Sequence, residues 1–175
     1  MKPELAIRDA GPDELDGLLE VVMDAYSQFG EFLPPAFAAE YRQEVADVLR
    51  NPNTQVLVAE DGGATAGTVA FYPEGGFYHE SVPADWACLR TLAVLPECRG
   101  RGIGRALMEE TVRRARGLGR SRMLLHTLPF MSAARALHES VGFRRAPELD
   151  VDYSTVTALA YLMDLPPAPA TRTGS

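Results

Sequence analysis

The stretch Leu92-Ala93-Val94-Leu95-Pro96-Glu97-Cys98-Arg99-Gly100-Arg101-Gly102-Ile103-Gly104 decides how the rest of the chain reads. Its first residues close an apolar strand pattern that begins at Trp86 and ends before a proline. Three glycines at alternate positions then let the backbone turn tightly and approach a ligand without Cβ interference. After them Ile103, Leu107, Thr111, Ala115 and Leu118 recur on one helical face. A helix opening there offers unpaired N–H groups and the positive end of its dipole. Strand, glycine turn and helix together make a seat for a phosphate or pyrophosphate, with charge added by Arg99, Arg101 and Arg105. The plainer alternative is a glycine turn with solvated arginines.

Two nucleotide-binding readings fail. A dinucleotide fingerprint needs G-x-G-x-x-G, but Arg105 or Leu107 takes the last glycine's place in the two registers. A P-loop needs a lysine, and the chain's one lysine is Lys2.

Working outward, Leu5 to Arg8 predicts a short first strand. Gly11-Pro12-Asp13-Glu14 starts a helix carrying Leu15, Leu18, Leu19, Val22, Met23 and Tyr26 on one face. A second helix runs from near Pro35 to Asn51-Pro52. Gln55–Glu60 and Ala66–Tyr72 flank Asp61-Gly62-Gly63 as a hairpin, and an aromatic, glycine-rich connection, 73–85, precedes the Trp86–Val94 strand. Beyond the glycine turn lie a strand at Arg122–Thr127, a helix at Ala133–Val141 and a last strand at Thr157–Leu165. The alternation predicts an α/β (α+β) fold, a mixed sheet covered by helices. Residues 4–165 form one domain, and the proline-rich 166–175 a loose tail.

The chain has 175 residues, 17 basic and 24 acidic, for a formal charge of −7. Nine arginines and three acids fall between Arg90 and Arg122, so that segment carries +6 and the remainder −13. An acidic chain argues against nucleic acid, while the basic segment suits one anion. No apolar run reaches the length of about 18 residues that a membrane helix needs, and with no signal peptide evident the expected location is cytoplasmic. Cys88 and Cys98 read as reduced thiols. His79 and His126 lack ligand-spaced partners, His126 reading as a structural histidine in a strand; no metal site is expected.

The glycine turn meets [QR]-x-x-G-x-[GA] with Arg99, Gly102 and Gly104, and Ala134, Leu137 and Gly142-Phe143 fit N-x-x-A-x-x-L-Y-x-x-x-G-F. In these motifs the chain resembles the GNAT family of N-acetyltransferases over about residues 4–165. The resemblance implies a mostly antiparallel sheet whose central parallel strand pair splays apart, flanked by helices. It implies acetyl-CoA as cosubstrate, with its pantetheine arm along the backbone of Leu92, Ala93 and Val94. The pyrophosphate would rest on Arg99, Gly100, Arg101, Gly102, Ile103 and Gly104, with Arg105 just inside the helix. The N–H of Val94 would polarise the thioester carbonyl while a primary amine attacks directly, without a metal or redox cofactor.

Several positions depart from the family pattern. His138 stands where the tyrosine that protonates the departing thiolate is usual. It is read as a general acid, as a sulfur-bonding group, or as packing among Ala134, Leu137 and Val141. Met131 replaces an asparagine, and Ser132 is the substitute polar contact to pantetheine. Cys88 replaces a glutamate that serves many relatives as base, leaving Asp85 and Glu80 as carboxylates that accept a proton through water or simply face solvent. On the acceptor side, the resemblance points to two loops carrying Tyr26, Phe29 and Phe32 and Tyr78 and Trp86. These rings contact an amine of modest size, whose charge would suit Glu31, Glu80 or Asp85, or else they finish the core or a homodimer interface. The sequence thus supports an N-acetyltransferase acting on a small amine, with a peptide amine or a non-catalytic acyl-CoA sensor as alternatives.

Overall fold

The computed structural model describes residues 4–153 and 155–167; beyond Pro167 the expected tail lies outside them. Eight strands alternate with five helices: β1 (Leu5–Asp9), α1 (Leu15–Tyr26), α2 (Pro35–Arg50), β2 (Gln55–Asp61), β3 (Ala64–Tyr72), the one-turn α3 (Gly75–Tyr78), β4 (Trp86–Val94), α4 (Ile103–Gly117), β5 (Arg122–Thr127), α5 (Ser132–Val141), β6 (Arg144–Arg145), β7 (Val151–Asp152) and β8 (Thr157–Asp164). The sheet runs β1-β2-β3-β4-β5-β8-β6, with β7 beside β8. Every pairing is antiparallel except β4 with β5. That parallel pair needs a crossover, which α4 supplies.

Period-two alternation divides the core between the two faces. Leu57, Val69 and Phe71 pack with Ile103, Leu107, Met108 and Val112 of α4. On the other face Val56 and Val58 meet Leu18, Val22, Val45 and Leu49 of α1 and α2. Each fully buried side chain of this kind contributes about 1.5–3 kcal/mol of transfer free energy. Both strands of the 55–72 hairpin and the β4 and β5 boundaries agree with the sequence pattern. The two-residue strands β6 and β7 do not follow from it, because they are too short for a period to show. No helix among the described residues is long and apolar enough to cross a membrane.

Two irregularities in the sheet create the site. Pairing of β4 with β5 stops at Cys88↔Leu124, although β4 continues to Val94 and β5 to Thr127. The strands diverge into a wedge. On its other edge β4 sets two residues, Thr91 and Leu92, against the single Val69 of β3, between Ala93↔Thr68 and Arg90↔Ala70, which is a bulge. Within it Thr91 has a φ of 54°, an uncommon conformation for a β-branched residue and a source of strain of about 1–3 kcal/mol.

Candidate active site

At the open end of the wedge the glycine turn takes the shape its sequence implies. Gly100 and Gly102 adopt φ of 75° and 79°, left-handed values in which a side chain is strained. Gly102 caps α4, and its carbonyl accepts the first helical bond from the N–H of Ala106. The N–H groups of residues 100–105 have no protein partner among the described residues. Gly104 serves a different purpose: a Cβ there would lie 3.1 Å from Leu137 Cδ2, so its absence lets α5 close on α4.

The arginines around this turn are not equivalent. Arg105 reaches Ser140 Oγ at 2.6 Å and stays on the cavity wall. Arg99 also lines the cavity, donating to the Ala25 carbonyl at 2.8 Å and to Gln28 Oε1 at 3.0 Å, which fastens the turn to the end of α1. Arg101 turns away to Asp61 at 2.9 Å, off the cavity wall, because Asp61 closes β2 beside the turn.

A cavity of about 1270 Å³ runs from this turn through the wedge to the face covered by α1 and α2. Leu92, Ala93 and Val94 line it with Gly100, Gly102, Ile103 and Gly104. The N–H of Leu95 donates to the Ala66 carbonyl on β3, so strand alternation turns the N–H of Val94 toward the wedge. The Tyr26 hydroxyl donates to the Leu92 carbonyl at 2.6 Å, and burial pushes this phenol up to about 12. An adjoining apolar hollow of about 170 Å³ is walled by Met23, Phe29, Leu33, Phe37, Tyr41 and Leu128.

Tyr26, Phe29, Tyr78, Trp86 and His138 all line the cavity wall. Glu31, Asp85, Glu80, Ser132 and Phe32, also expected near the site, do not. Asp85 accepts a hydrogen bond from Ser121 Oγ at 2.6 Å at the closed end of the wedge, where the paired strands begin. Glu80 is exposed beyond α3, and Ser132 is exposed in the first turn of α5 while Met131 faces inward. Phe32 stacks on Phe130 with centroids 5.1 Å apart and remains 55% exposed.

His138 is 4% exposed, with Nδ1 3.3 Å from Met108 Sδ and the rings of Tyr161 and Phe143 beside it. Burial pulls it down to about 4, so the ring is neutral at pH 7, which favours packing or a bond to sulfur over a cationic acid. Cys88 is fully buried and its thiol is pushed up to about 12, the behaviour of a small apolar side chain.

The chain matches the Acetyltransferase (GNAT) family over residues 17–143. It belongs to the GNAT family. An uncharacterized N-acetyltransferase of Schizosaccharomyces pombe is 33% identical over 142 residues, covering 76% of this chain and 78% of the relative. The PaiA N-acetyltransferase of Thermoplasma acidophilum, solved in complex with coenzyme A, superposes with a TM-score of 0.72 at 15% identity, covering 92% of this chain and 99% of that one. The yncA protein of Salmonella typhimurium, solved with its cofactor acetyl-CoA, gives 0.61 at 18% identity, covering 97% and 99%. The GNAT chain described here is an N-acetyltransferase with the mixed, largely antiparallel sheet of that fold.

Sequence reasoning overlooked part of this GNAT site. Tyr41, Glu44 and Glu40 of α2, Arg90 of β4 and His126 of β5 all line the cavity. Arg90 forms an ion pair with Glu44 across it. These residues belong to elements far apart in sequence, and no local pattern shows that they converge. For His126 the strand period alone placed the ring on a sheet face without showing that β5 leaves β4 just before it.

Proposed function

We propose that this GNAT enzyme transfers the acetyl group of acetyl-CoA directly to the primary amine of a small molecule with an apolar body. The observation that carries the reading is the continuous cavity, which joins the glycine turn to an aromatic wall on the opposite face of the sheet. The turn suits a pyrophosphate because its N–H groups are unpartnered and a carboxylate-free helix start points at them. Arg99 and Arg105 flank that seat; Arg101 is spent on Asp61. The wedge edge of β4 suits the pantetheine arm, since it lacks a strand partner beyond Cys88.

Acetyl-CoA bound in this way supplies an activated acyl group and a thiolate leaving group. The chain's part is to hold the thioester against β4, with the Val94 N–H aimed at its carbonyl oxygen. Tyr26 fixes the Leu92 carbonyl and so the local course of the bulge. The apolar hollow beside Tyr26 suits a hydrocarbon or aromatic body, while Glu40 on the cavity wall suits the polar amine end. The test is release of free CoA thiol across a panel of alkyl, arylalkyl and peptide amines. Turnover highest with compact arylalkyl amines, with intersecting initial-rate lines, supports the reading. Micromolar acetyl-CoA binding without turnover on any amine would replace it with a sensor.

A further inference from the structure

Direct transfer needs an acceptor for the amine's proton, and the candidates read from the sequence do not supply it: Cys88 stands on β4 in place of a carboxylate, and Asp85 and Glu80 lie off the cavity. Tyr78 at the end of α3 faces the cavity from the acceptor side. Its hydroxyl is 2.7 Å from His126 Nδ1, and the two rings stack at 5.8 Å with planes 6° apart. His126 Nε2 is 2.9 Å from the Leu149 carbonyl. A carbonyl only accepts, so Nε2 carries the ring proton and Nδ1 is the acceptor of the Tyr78 O–H. The hydrogen-bond chain therefore runs in one direction, from Tyr78 through His126 to the Leu149 carbonyl.

We infer that Tyr78 takes the proton of the attacking amine and passes its own to His126. The inference rests on the proposed amine acetylation. The amine reacts in its neutral form: as the nitrogen's lone pair forms the C–N bond, the C–S bond breaks and its electron pair leaves on sulfur. The nitrogen's proton moves to Tyr78 Oη while the Tyr78 proton moves to His126 Nδ1. The imidazolium keeps its Nε2–H bond to Leu149 and later returns its proton to water in the open cavity, from which the thiolate is protonated. Tyr78 is the catalytic residue that touches substrate; His126 acts through it.

The surroundings suit a base that is empty at neutral pH. Burial lowers His126 below the ordinary imidazole value, helped by Arg90 on β4 and His79 after α3. Asp150, after the turn that carries Leu149, opposes this and stabilises the imidazolium once formed. The thiol of Cys88 and the phenols of Tyr72 and Tyr153 face Tyr78, whose own phenol is held protonated by burial. His126→Gln keeps a donor for the Leu149 carbonyl and an acceptor for Tyr78 but takes up no proton, and Tyr78→Phe keeps the ring stack.

The experiment is the pH dependence of kcat for wild type and both variants, with acetyl-CoA affinity read by calorimetry. Each variant is expected to lose roughly 10²-fold in kcat at unchanged acetyl-CoA affinity and to lose the acid limb that wild type shows below pH 6.5. Added imidazole should restore activity to His126→Ala. Ring-nitrogen NMR of wild type reads the relay without turnover: the Nε2–H tautomer is expected at pH 7.5. Wild-type rates and pH profile in Tyr78→Phe, or an Nδ1–H tautomer of His126, overturn the relay while leaving the transferase reading intact. If wild type binds acetyl-CoA yet acetylates no amine, both readings fail.

Discussion

One side of the wedge is made of backbone and the other of side chains. At the glycine turn the available groups are main-chain N–H, presented by two left-handed glycines and the start of α4. Opposite, the wall is assembled from Tyr26, Tyr41, Tyr78, Arg90 and His126, supplied by three helices and two strands. The backbone side is specified by six consecutive residues and tolerates almost any side chain that leaves its φ angles free. The side-chain side depends on long-range packing, and each ring is held by a partner elsewhere in the chain. A ligand common to a family suits the first kind of construction, and a particular acceptor the second.

The largest expected effect comes from attacking the backbone side. Gly102→Asp puts a carboxylate at the cap of α4 in a left-handed position, and calorimetry should show acetyl-CoA affinity falling at least about 100-fold, some 3 kcal/mol. The thermal midpoint should fall by only a few degrees: a Cβ there meets nothing within 4 Å, and the left-handed φ of 79° costs a side chain about 1–2 kcal/mol. Retained affinity would remove the turn from the binding site.

His138→Phe tests the side-chain part through pH. The folded state holds His138 near 4 against an ordinary 6.5, so between those values the unfolded chain binds more protons. Its contribution is complete above pH 6.5 and is lost as the pH falls toward 4, by up to about 3 kcal/mol. Denaturant titrations from pH 7 to 4 should therefore show a shallower acid loss in the variant than in wild type. The variant's kcat should keep the wild-type pH profile around neutrality, because a neutral ring has no extra proton to give; a lost limb would restore the acid role.

Smaller effects separate position from charge. Tyr26→Phe removes the bond that ties the end of α1 to the Leu92 carbonyl, and unfolding titrations should show a loss of about 1 kcal/mol. The smallest effect belongs to Arg101→Ala, expected to change acetyl-CoA affinity less than about twofold, because that guanidinium engages Asp61 instead of facing the cavity. A tenfold loss would return Arg101 to the phosphate seat.

These contrasts explain what a single sequence discloses. Helices α1 and α4, the 55–72 hairpin and the Trp86–Val94 strand were legible because each is written in local periodicity and ends at glycine or proline. The glycine turn was legible because left-handed backbone and close helix approach restrict residue type at consecutive positions. The arginines were legible only as a surplus of charge. The fold spends Arg101 on Asp61, Arg90 on Glu44, Arg114 on Asp9 and Arg122 on Asp164, so much of the apparent basic segment is neutralised by the acidic remainder. Segregation along the chain is not segregation in space.

Alone, the order of residues determined the class of fold, the strand–turn–helix seat and the family pattern built on it, because these depend on neighbours within a few residues. Tertiary structure decided where β5 parts from β4, which arginines remain at the cavity, that His138 is buried and neutral, and that Tyr78 meets His126. Such facts depend on contacts between residues 48 or more positions apart in the case of that pair, and on solvent exclusion by several elements at once. Local propensity carries no information about either.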